Sequence, residues 1–290
     1  MRKLGRLFSR LASLFWAHLP WSCNLIFARA LAFLWIDILR LRKDVIYSNL
    51  ELAFPGMAID RKKDIAKKSM IALSRSFADV MRIPSLSELW IDENVIFEGQ
   101  AQIEQIRKCD SGVFFMSLHL GSGDLAGAIV SSRIKPLTLI SKRFSNQFLD
   151  AFWYGLREKS KTHFIDAHAK NNAFDILAAL KKKRGVVFVL DQFMGRPYGL
   201  ETLFYGVKTG TAYGLALFAK KTRKPVYPLY TYWDANQKLH ICIDEAIDLS
   251  AELSETNEVV TNKFNKTLER IISKHPEHWM WVHKRWKTYE

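Results

Sequence analysis

The chain has 290 residues, 49% of them hydrophobic, which suffices for one large domain with a sizeable core and excludes a disordered or fibrous protein. Its three cysteines lie far apart along the chain, so we expect neither a disulfide framework nor a zinc-ligand cluster. The formal net charge of +14 indicates an anionic partner, namely nucleic acid, an acidic membrane surface or a phosphorylated substrate. The aromatic content of 13% favours a lipid interface over nucleic acid.

Residues 1–44 are predicted to form a membrane-associating helical segment. Residues 11–28 carry no formal charge, which is about the minimum length for a bilayer-spanning helix. Pro20 interrupts this stretch and basic residues flank it on both sides, so two short amphipathic helices in the headgroup plane fit the pattern better than one spanning helix. A cleaved signal peptide and a packed core helix are the remaining interpretations of the same residues.

Residues 45–290 are predicted to form one α/β domain. Residues 45–83 have the apolar spacing of helices, with an interruption at Pro55-Gly56. From about residue 94, short apolar runs alternate with helical segments, which predicts a mainly parallel central sheet flanked by helices. The predicted strands are 113–118, 137–140, 186–190 and 226–230, with helices at 174–183, 212–221 and 256–275 and a late edge or antiparallel strand at 239–243.

The segment 117–124, Ser-Leu-His-Leu-Gly-Ser-Gly-Asp, stands where a predicted strand ends and a helix begins, which is where open α/β sheets bind ligands. In a continuous helix His119 and Asp124 would lie about 140° apart. Gly121 and Gly123 allow a turn that returns the carboxylate to the imidazole, and the backbone N–H groups of this turn favour an anion. The pattern therefore predicts a catalytic pair beside a substrate-binding turn.

A histidine held by a carboxylate acts as a general base. The carboxylate stabilises the imidazolium, while the other ring nitrogen takes a proton from an attacking hydroxyl. No Gly-x-Ser-x-Gly nucleophile elbow accompanies the pair in the sequence, so direct transfer is expected rather than a covalent intermediate. A core histidine followed by a helix-capping aspartate is the alternative interpretation.

Further motifs occur before and after this segment. Residues 49–55 read Asn-Leu-Glu-Leu-Ala-Phe-Pro, and residues 276–287 read Pro-Glu-His-Trp-Met-Trp-Val-His-Lys-Arg-Trp-Lys. Between them stand Asp191-Gln192, Gly195, Phe204, Gly206, Thr211 and Pro228. Together with His-x4-Asp, these motifs resemble the late acyltransferases of lipid A biosynthesis, the lauroyl and myristoyl transferases, and more distantly the glycerolipid acyltransferases. Many members of the lipid A family read His-x-Gly-Asn-Trp-Glu, where this chain has a shorter acid and no tryptophan.

The resemblance implies that residues 45–290 form an acyltransferase domain at the cytoplasmic face of the inner membrane. It implies transfer from acyl carrier protein or coenzyme A to a hydroxyl of a phosphorylated lipid A precursor, with the thioester as co-substrate and no cofactor. Arg143 matches a family arginine suited to a substrate phosphate or the developing oxyanion, and Arg157 matches another family position. Asp191 follows a predicted strand and is interpreted either as orienting basic residues or sugar hydroxyls, or as a cap.

Two rival functions remain from the sequence. One is acylation of another lipid, such as a lysophospholipid or a mannosylated phosphoinositide, and the other is non-catalytic binding of anionic lipid or nucleic acid through the positive field. The pairs His275/His278 and His163/His168 lack a third ligand, so no metal site is predicted. Residues 283–287 are expected to form a membrane or structural tail, and nucleic acid is not an expected partner.

Overall fold

The structure of the chain is a computed structural model that describes residues 1–158, 160–169 and 171–290. The α-helices in these residues are α1 (Arg2–Ala17), α2 (Ser22–Phe33), α3 (Lys43–Ala53), α4 (Ile59–Arg82), α5 (Glu88–Asn94), α6 (Gln100–Lys108), α7 (Gly123–Arg133), α8 (Gln147–Arg157), α9 (Asn172–Lys181), α10 (Gly214–Thr222) and α11 (Asn257–Lys274). The strands are β1 (Val95–Glu98), β2 (Val113–Ser117), β3 (Leu137–Ser141), β4 (His163–Asp166), β5 (Gly185–Val189), β6 (Gly199–Phe204), β7 (Val207–Ala212), β8 (Val226–Trp233) and β9 (Leu239–Ile243). A π-helical segment, Leu34–Ile38, continues α2, and short 3₁₀ helices occur at Ile83–Ser85 and Pro276–His278.

A seven-stranded sheet in the order β1-β9-β8-β2-β5-β3-β4 forms the centre of the fold. Neighbouring strands are parallel except β8 and β9, which are antiparallel, and β6 and β7 form a separate hairpin. The predicted mainly parallel sheet flanked by helices is confirmed. The late strand β9 is antiparallel as one of the two expectations had it, but it is not the edge strand, because β1 pairs with its outer side.

The central strand β2 is apolar on both faces. Phe114 packs into the core on one side of the sheet and Phe115 into the core on the other, and both are fully buried. Parallel strands are covered on both faces, so they read as continuous apolar runs rather than alternating ones. Burial of each such side chain stabilises the fold by about 1.5–3 kcal/mol, and this burial holds the carboxyl end of β2 in a fixed position.

The N-terminal segment forms two helices that separate at Pro20, as the sequence predicts. In the described part of the chain, no single helix is long and apolar enough to cross a membrane. Helix α1 and the run from Ser22 to Ile38 reach the necessary length and apolar composition only together, as a pair bent by 117°. Helix α1 lies closely against α8, because a Cβ on Gly5 would stand 2.5 Å from the Phe148 carbonyl oxygen. The outer side of α1 carries exposed apolar side chains, namely Leu4, Leu7, Phe8, Leu11, Leu14 and Phe15, of which Phe8 also packs edge-on against Phe148 of α8.

The segment after α11 is part of the core. Trp279 and Trp281 are almost fully buried, and Arg285 is buried against the β6–β7 hairpin, where it donates to the Gly210 carbonyl oxygen at 2.7 Å. Asn49 donates to the Trp281 carbonyl oxygen at 2.7 Å, so the motifs at residues 49–55 and 276–287 contact each other. Of the two roles expected for the tail, the structure shows the structural one.

Candidate active site

The topology brings three strand ends together. Strand β5 lies between β2 and β3, and all three run parallel, so their carboxyl ends meet at one edge of the sheet. In the register of β2 and β5, Ser117 stands opposite Val189. His119 comes two residues after Ser117, and Asp191 comes two residues after Val189, so the two side chains are neighbours. Arg143 follows the end of β3.

Asp191 holds His119 through two hydrogen bonds, one to its backbone and one to its imidazole. The backbone N–H of His119 donates to Asp191 Oδ2 at 3.0 Å, and His119 Nδ1 lies 2.9 Å from Asp191 Oδ1. Trp279 Nε1 also donates to Oδ2, at 2.7 Å, and the Asp191 side chain is 1% exposed. Because the ionised carboxylate can only accept a hydrogen bond, Nδ1 carries the proton of the neutral imidazole, and Nε2 is left as the acceptor nitrogen.

The acceptor nitrogen faces outward. The His119 side chain is 43% exposed, and its Nε2 makes a long contact of 3.4 Å with Nε2 of Gln192. Burial lowers the pKa of His119, but the charge and hydrogen bond of Asp191 outweigh it, so the pKa lies above the ordinary value of 6.5. For Asp191 burial has the opposite effect and raises the pKa, yet the charge of His119 and the hydrogen bonds from His119 and Trp279 bring that pKa below its ordinary value. The pair is thus arranged to accept and stabilise a proton on the imidazole.

Asp124 contacts a different partner. It lies in the first turn of α7, and its Oδ2 accepts a hydrogen bond from Arg157 Nη2 at 2.5 Å. The hydrogen bond to the imidazole that the sequence analysis assigned to Asp124 is made by Asp191, because the start of α7 directs Asp124 towards α8. The charge of Asp124 still contributes to the raised pKa of His119. The pairing of His119 with Asp124 in catalysis stays a prediction.

Gly121 fixes the course of the loop between β2 and α7. Its φ is +62°, and a Cβ would stand 2.4 Å from the Thr231 carbonyl oxygen, so only glycine fits. The sequence predicted that the N–H groups of this turn favour an anion, but the N–H of Gly121 donates to the His278 carbonyl oxygen at 3.0 Å. The N–H of Met280 donates to the His119 carbonyl oxygen at 3.1 Å, so residues 276–287, the closing segment, hold the loop that carries His119 from outside the sheet.

The two arginines named from the sequence line one cavity of about 360 Å³. Arg143 donates to Asp150 at 2.5 Å and stacks over the ring of Tyr154 at 3.9 Å. Arg157 is 7% exposed and lies over the ring of Trp153 at 4.8 Å. Within residues 1–158, 160–169 and 171–290, no three His, Cys, Asp or Glu side chains are grouped so as to hold a metal ion.

A buried polar network lies beside the loop between β2 and α7, and no motif in the sequence had indicated it. Asp79 of α4 accepts from Ser122 Oγ at 2.5 Å and from Asn24 Nδ2 at 2.6 Å, and its side chain is inaccessible to solvent. Trp233 Nε1 donates to Ser122 Oγ at 2.9 Å, and Arg82 donates to Asn24 Oδ1 at 3.2 Å. Its only sequence signal is an acidic residue on the apolar face of α4. The network joins α2 to the residue that precedes α7.

Known proteins match this chain along most of its length. The model of the bacterial lipid A biosynthesis acyltransferase family matches residues 6–288. The lipid A biosynthesis palmitoleoyltransferase of Escherichia coli (strain K12) is 22% identical over 281 residues, which cover 94% of this chain and 88% of that protein. The lauroyltransferase of the same strain is 22% identical over 258 residues, covering 87% and 81%. A solved acyltransferase for 1-acyl-sn-glycerophosphate, PlsC from Thermotoga maritima, aligns with a TM-score of 0.41 and 13% identity over 97% of this chain and 100% of that one.

Proposed function

Since the chain belongs to the bacterial lipid A biosynthesis acyltransferase family, we propose that it transfers a fatty acyl chain from an acyl thioester to a hydroxyl of a lipid A precursor. The family membership agrees with the resemblance seen in the sequence motifs. The observation that carries the mechanism is the imidazole of His119, which a buried carboxylate holds by Nδ1 while Nε2 faces outward. This is the arrangement that a general base requires.

In the proposed reaction, the acceptor hydroxyl oxygen attacks the thioester carbonyl carbon while Nε2 of His119 takes the hydroxyl proton. The tetrahedral intermediate then collapses, the carbon–sulfur bond breaks, and the imidazolium returns the proton to the leaving thiolate. Asp191 stabilises the imidazolium directly. Asp124 supports the same charge from a greater distance and holds Arg157, while Arg143 stabilises either the oxyanion or a substrate phosphate.

The thioester donor is proposed to be acyl carrier protein or coenzyme A. Both donors are strongly anionic, as is a phosphorylated acceptor, and a chain with a formal net charge of +14 attracts each of them by electrostatic steering. Arginine suits the contact with phosphate because its planar fork binds two oxygens at once.

The site of action is proposed to be the cytoplasmic face of the inner membrane. The exposed apolar face of α1 supports this proposal: its six large side chains are between 45% and 62% exposed and lie together on one side of the helix. An exposed apolar face bordered by basic residues is typical of a helix that lies in the headgroup region.

The test is an acyl-transfer assay with the purified full-length protein, offered acyl carrier protein and coenzyme A thioesters in turn, with mass spectrometry to identify the lipid that gains acyl mass. We expect a lipid A precursor to be acylated and His119→Ala to lower the rate by about 10²- to 10⁴-fold. His168→Ala, which alters an exposed histidine in a turn, is the matched control and should keep the rate. Acylation of a lysophospholipid instead would point to the rival acceptor, and an active His119→Ala would contradict the mechanism.

A further inference from the structure

Four arginines converge on the cavity of about 360 Å³ between α1 and α8. Arg143 and Arg157 come from the catalytic domain, and Arg2 and Arg6 come from α1. Two carboxylates, Asp150 and Glu158, also line the cavity, and Asp124 pairs with Arg157, so one positive charge is in excess. A cavity with excess arginine is suited to an anion.

The guanidinium of Arg157 is only partly satisfied by protein atoms. The residue is only 7% exposed. Its Nη2 donates to Asp124, whereas its Nε is buried and has no hydrogen-bond partner among the described residues. A buried donor without an acceptor costs free energy, so such a group is expected to have a partner in the working state. Because Arg157 lines the cavity, an oxygen-rich anion bound there is the acceptor that we expect this guanidinium to meet once the side chain adjusts.

Helix α1 closes the cavity and does so at close range. A Cβ built on Gly155 of α8 would stand 2.4 Å from Ser9 Oγ and 3.8 Å from the Cα of Arg6, so the two helices are in direct contact. Arg2 and Arg6 are four residues apart and share a face of α1. In the part of the chain that the structure describes, the ion pairs at the cavity join Arg143 to Asp150 and Arg157 to Asp124, so the exposed charges of Arg2 and Arg6 are left for a ligand.

We propose that this cavity binds a phosphate group of one of the two substrates, with Arg2 and Arg6 of α1 as ligands beside Arg143 and Arg157. The proposal rests on the proposed function for the identity of the substrates. Phosphate is favoured because it presents several oxygens to paired guanidinium groups. The cavity volume lies in the range of about 300–1,000 Å³ typical of small-molecule sites, so it admits the phosphate and part of the group that carries it.

The same helix therefore has two tasks. Its exposed apolar face is directed away from the protein, while Arg2 and Arg6 form one wall of the cavity. Because Arg157 contacts Asp124, five residues after His119, a phosphate held in the cavity is linked to the catalytic loop by a single side chain. Docking of α1 on α8 thus completes a binding site that the catalytic domain alone would leave open.

The first experiment measures phosphate binding without requiring activity. Inorganic phosphate is added to the full-length protein in detergent, with chloride at the same ionic strength as reference, and the unfolding temperature is recorded. We expect phosphate to raise the Tm of the wild type and of Arg10→Ala, and to raise that of Arg6→Ala much less. Arg10→Ala is the matched control because it removes the same charge from an exposed position of α1 outside the cavity. Equal stabilisation of the two variants, or none of the wild type, would overturn the proposal.

The second experiment identifies the source of the phosphate. Arg6→Ala and Arg2→Ala should each raise the KM for the substrate whose phosphate occupies the cavity by about tenfold or more, as expected for a lost charge-assisted contact. A rise confined to the acceptor lipid assigns the site to the lipid phosphate, and a rise confined to the thioester assigns it to the donor. Unchanged KM values for both substrates would contradict a substrate site. The Tm experiment separates this result from a failure of the proposed function, because it needs no turnover.

Discussion

His119 has two ring nitrogens, and the structure gives them different tasks. Nδ1 is held by the buried Asp191, while Nε2 faces outward beside Gln192. A base acts only in its unprotonated form, so the activity depends on the pKa of this imidazole. Asp191 raises that pKa by its charge and its hydrogen bond, against the opposing effect of burial. The residue most important for the pH dependence is therefore Asp191.

We predict that kcat/KM falls as the pH decreases through a value above 6.5, since His119 becomes protonated below its raised pKa. Asp191→Asn removes the main cause of that rise, so the acid limb should move to lower pH while the maximal rate decreases. Asp124→Asn should move it less, because Asp124 contributes less to the pKa. The measurement is a pH–rate profile of each variant, with Asp175→Asn on the exposed face of α9 as control. An acid limb that stays in place in Asp191→Asn would exclude Asp191 as the controlling group.

Arg143 allows a test of phosphate recognition against oxyanion stabilisation. Its guanidinium is half-exposed beside the cavity. If it binds phosphate, Arg143→Ala should chiefly raise the KM for a phosphorylated acceptor, and removal of the acceptor phosphates should harm the wild type more than the variant. Steady-state kinetics on both acceptors decide the matter. Equal losses on the dephosphorylated lipid would assign Arg143 to the oxyanion, and the effect would then appear in kcat.

At the scale of elements, α2, α4 and the start of α7 are joined through the buried Asp79. Its carboxylate accepts hydrogen bonds from Asn24 of α2 and Ser122 before α7, and Arg75 lies 3.8 Å away. Burial raises the pKa of Asp79, against the opposing effect of the nearby arginines. Because Ser122 precedes the helix that carries Asp124, this network ties the N-terminal helices to the catalytic loop.

We predict that Asp79→Ala destabilises the protein by about 3–5 kcal/mol, because it leaves buried arginines without a counter-charge. The control is Asp64→Ala on the exposed side of the same helix, where Arg61 and Lys68 form surface pairs with Asp64 that contribute about 1 kcal/mol or less. Urea unfolding of the full-length protein measures both. If both variants lost a similar free energy of unfolding, the buried network around Asp79 would contribute no more to stability than a surface ion pair.

The exposed face of α1 is the element expected to hold the protein at a membrane. We predict that Leu7→Glu and Leu11→Glu together release the protein into the soluble fraction, because a charge on the apolar face opposes insertion among lipids. Leu89→Glu alters a still more exposed leucine on α5 and should leave the protein in the membrane fraction. Extraction with alkaline carbonate adds a second readout, since an interfacial helix is released and a spanning one is retained. Retention of the double variant would contradict the assignment to α1.

In the molecule as a whole, the last residues of the chain contact both its N-terminal part and its centre. Asn49 donates to the backbone of the closing segment, and Trp279 pairs with Leu120 in the catalytic loop. The motifs at residues 49–55 and 276–287 are therefore structural supports of the site. Several elements escaped the sequence analysis, among them β4 and the hairpin β6–β7, because short or polar strands carry little apolar signal.

The pattern of residues along the chain was enough to predict the main strands and helices and the position of His119 at the end of a buried strand, because burial leaves a periodic pattern in the side chains. It also predicted the break at Pro20, because proline cannot continue a helix. It also identified Asp191 as a residue that follows such a strand. That Asp191, rather than Asp124, holds the imidazole follows from the three-dimensional fold, since this contact depends on β5 lying next to β2. Local periodicity reports which side chains are buried but not which strands are neighbours, and 72 residues separate His119 from its partner.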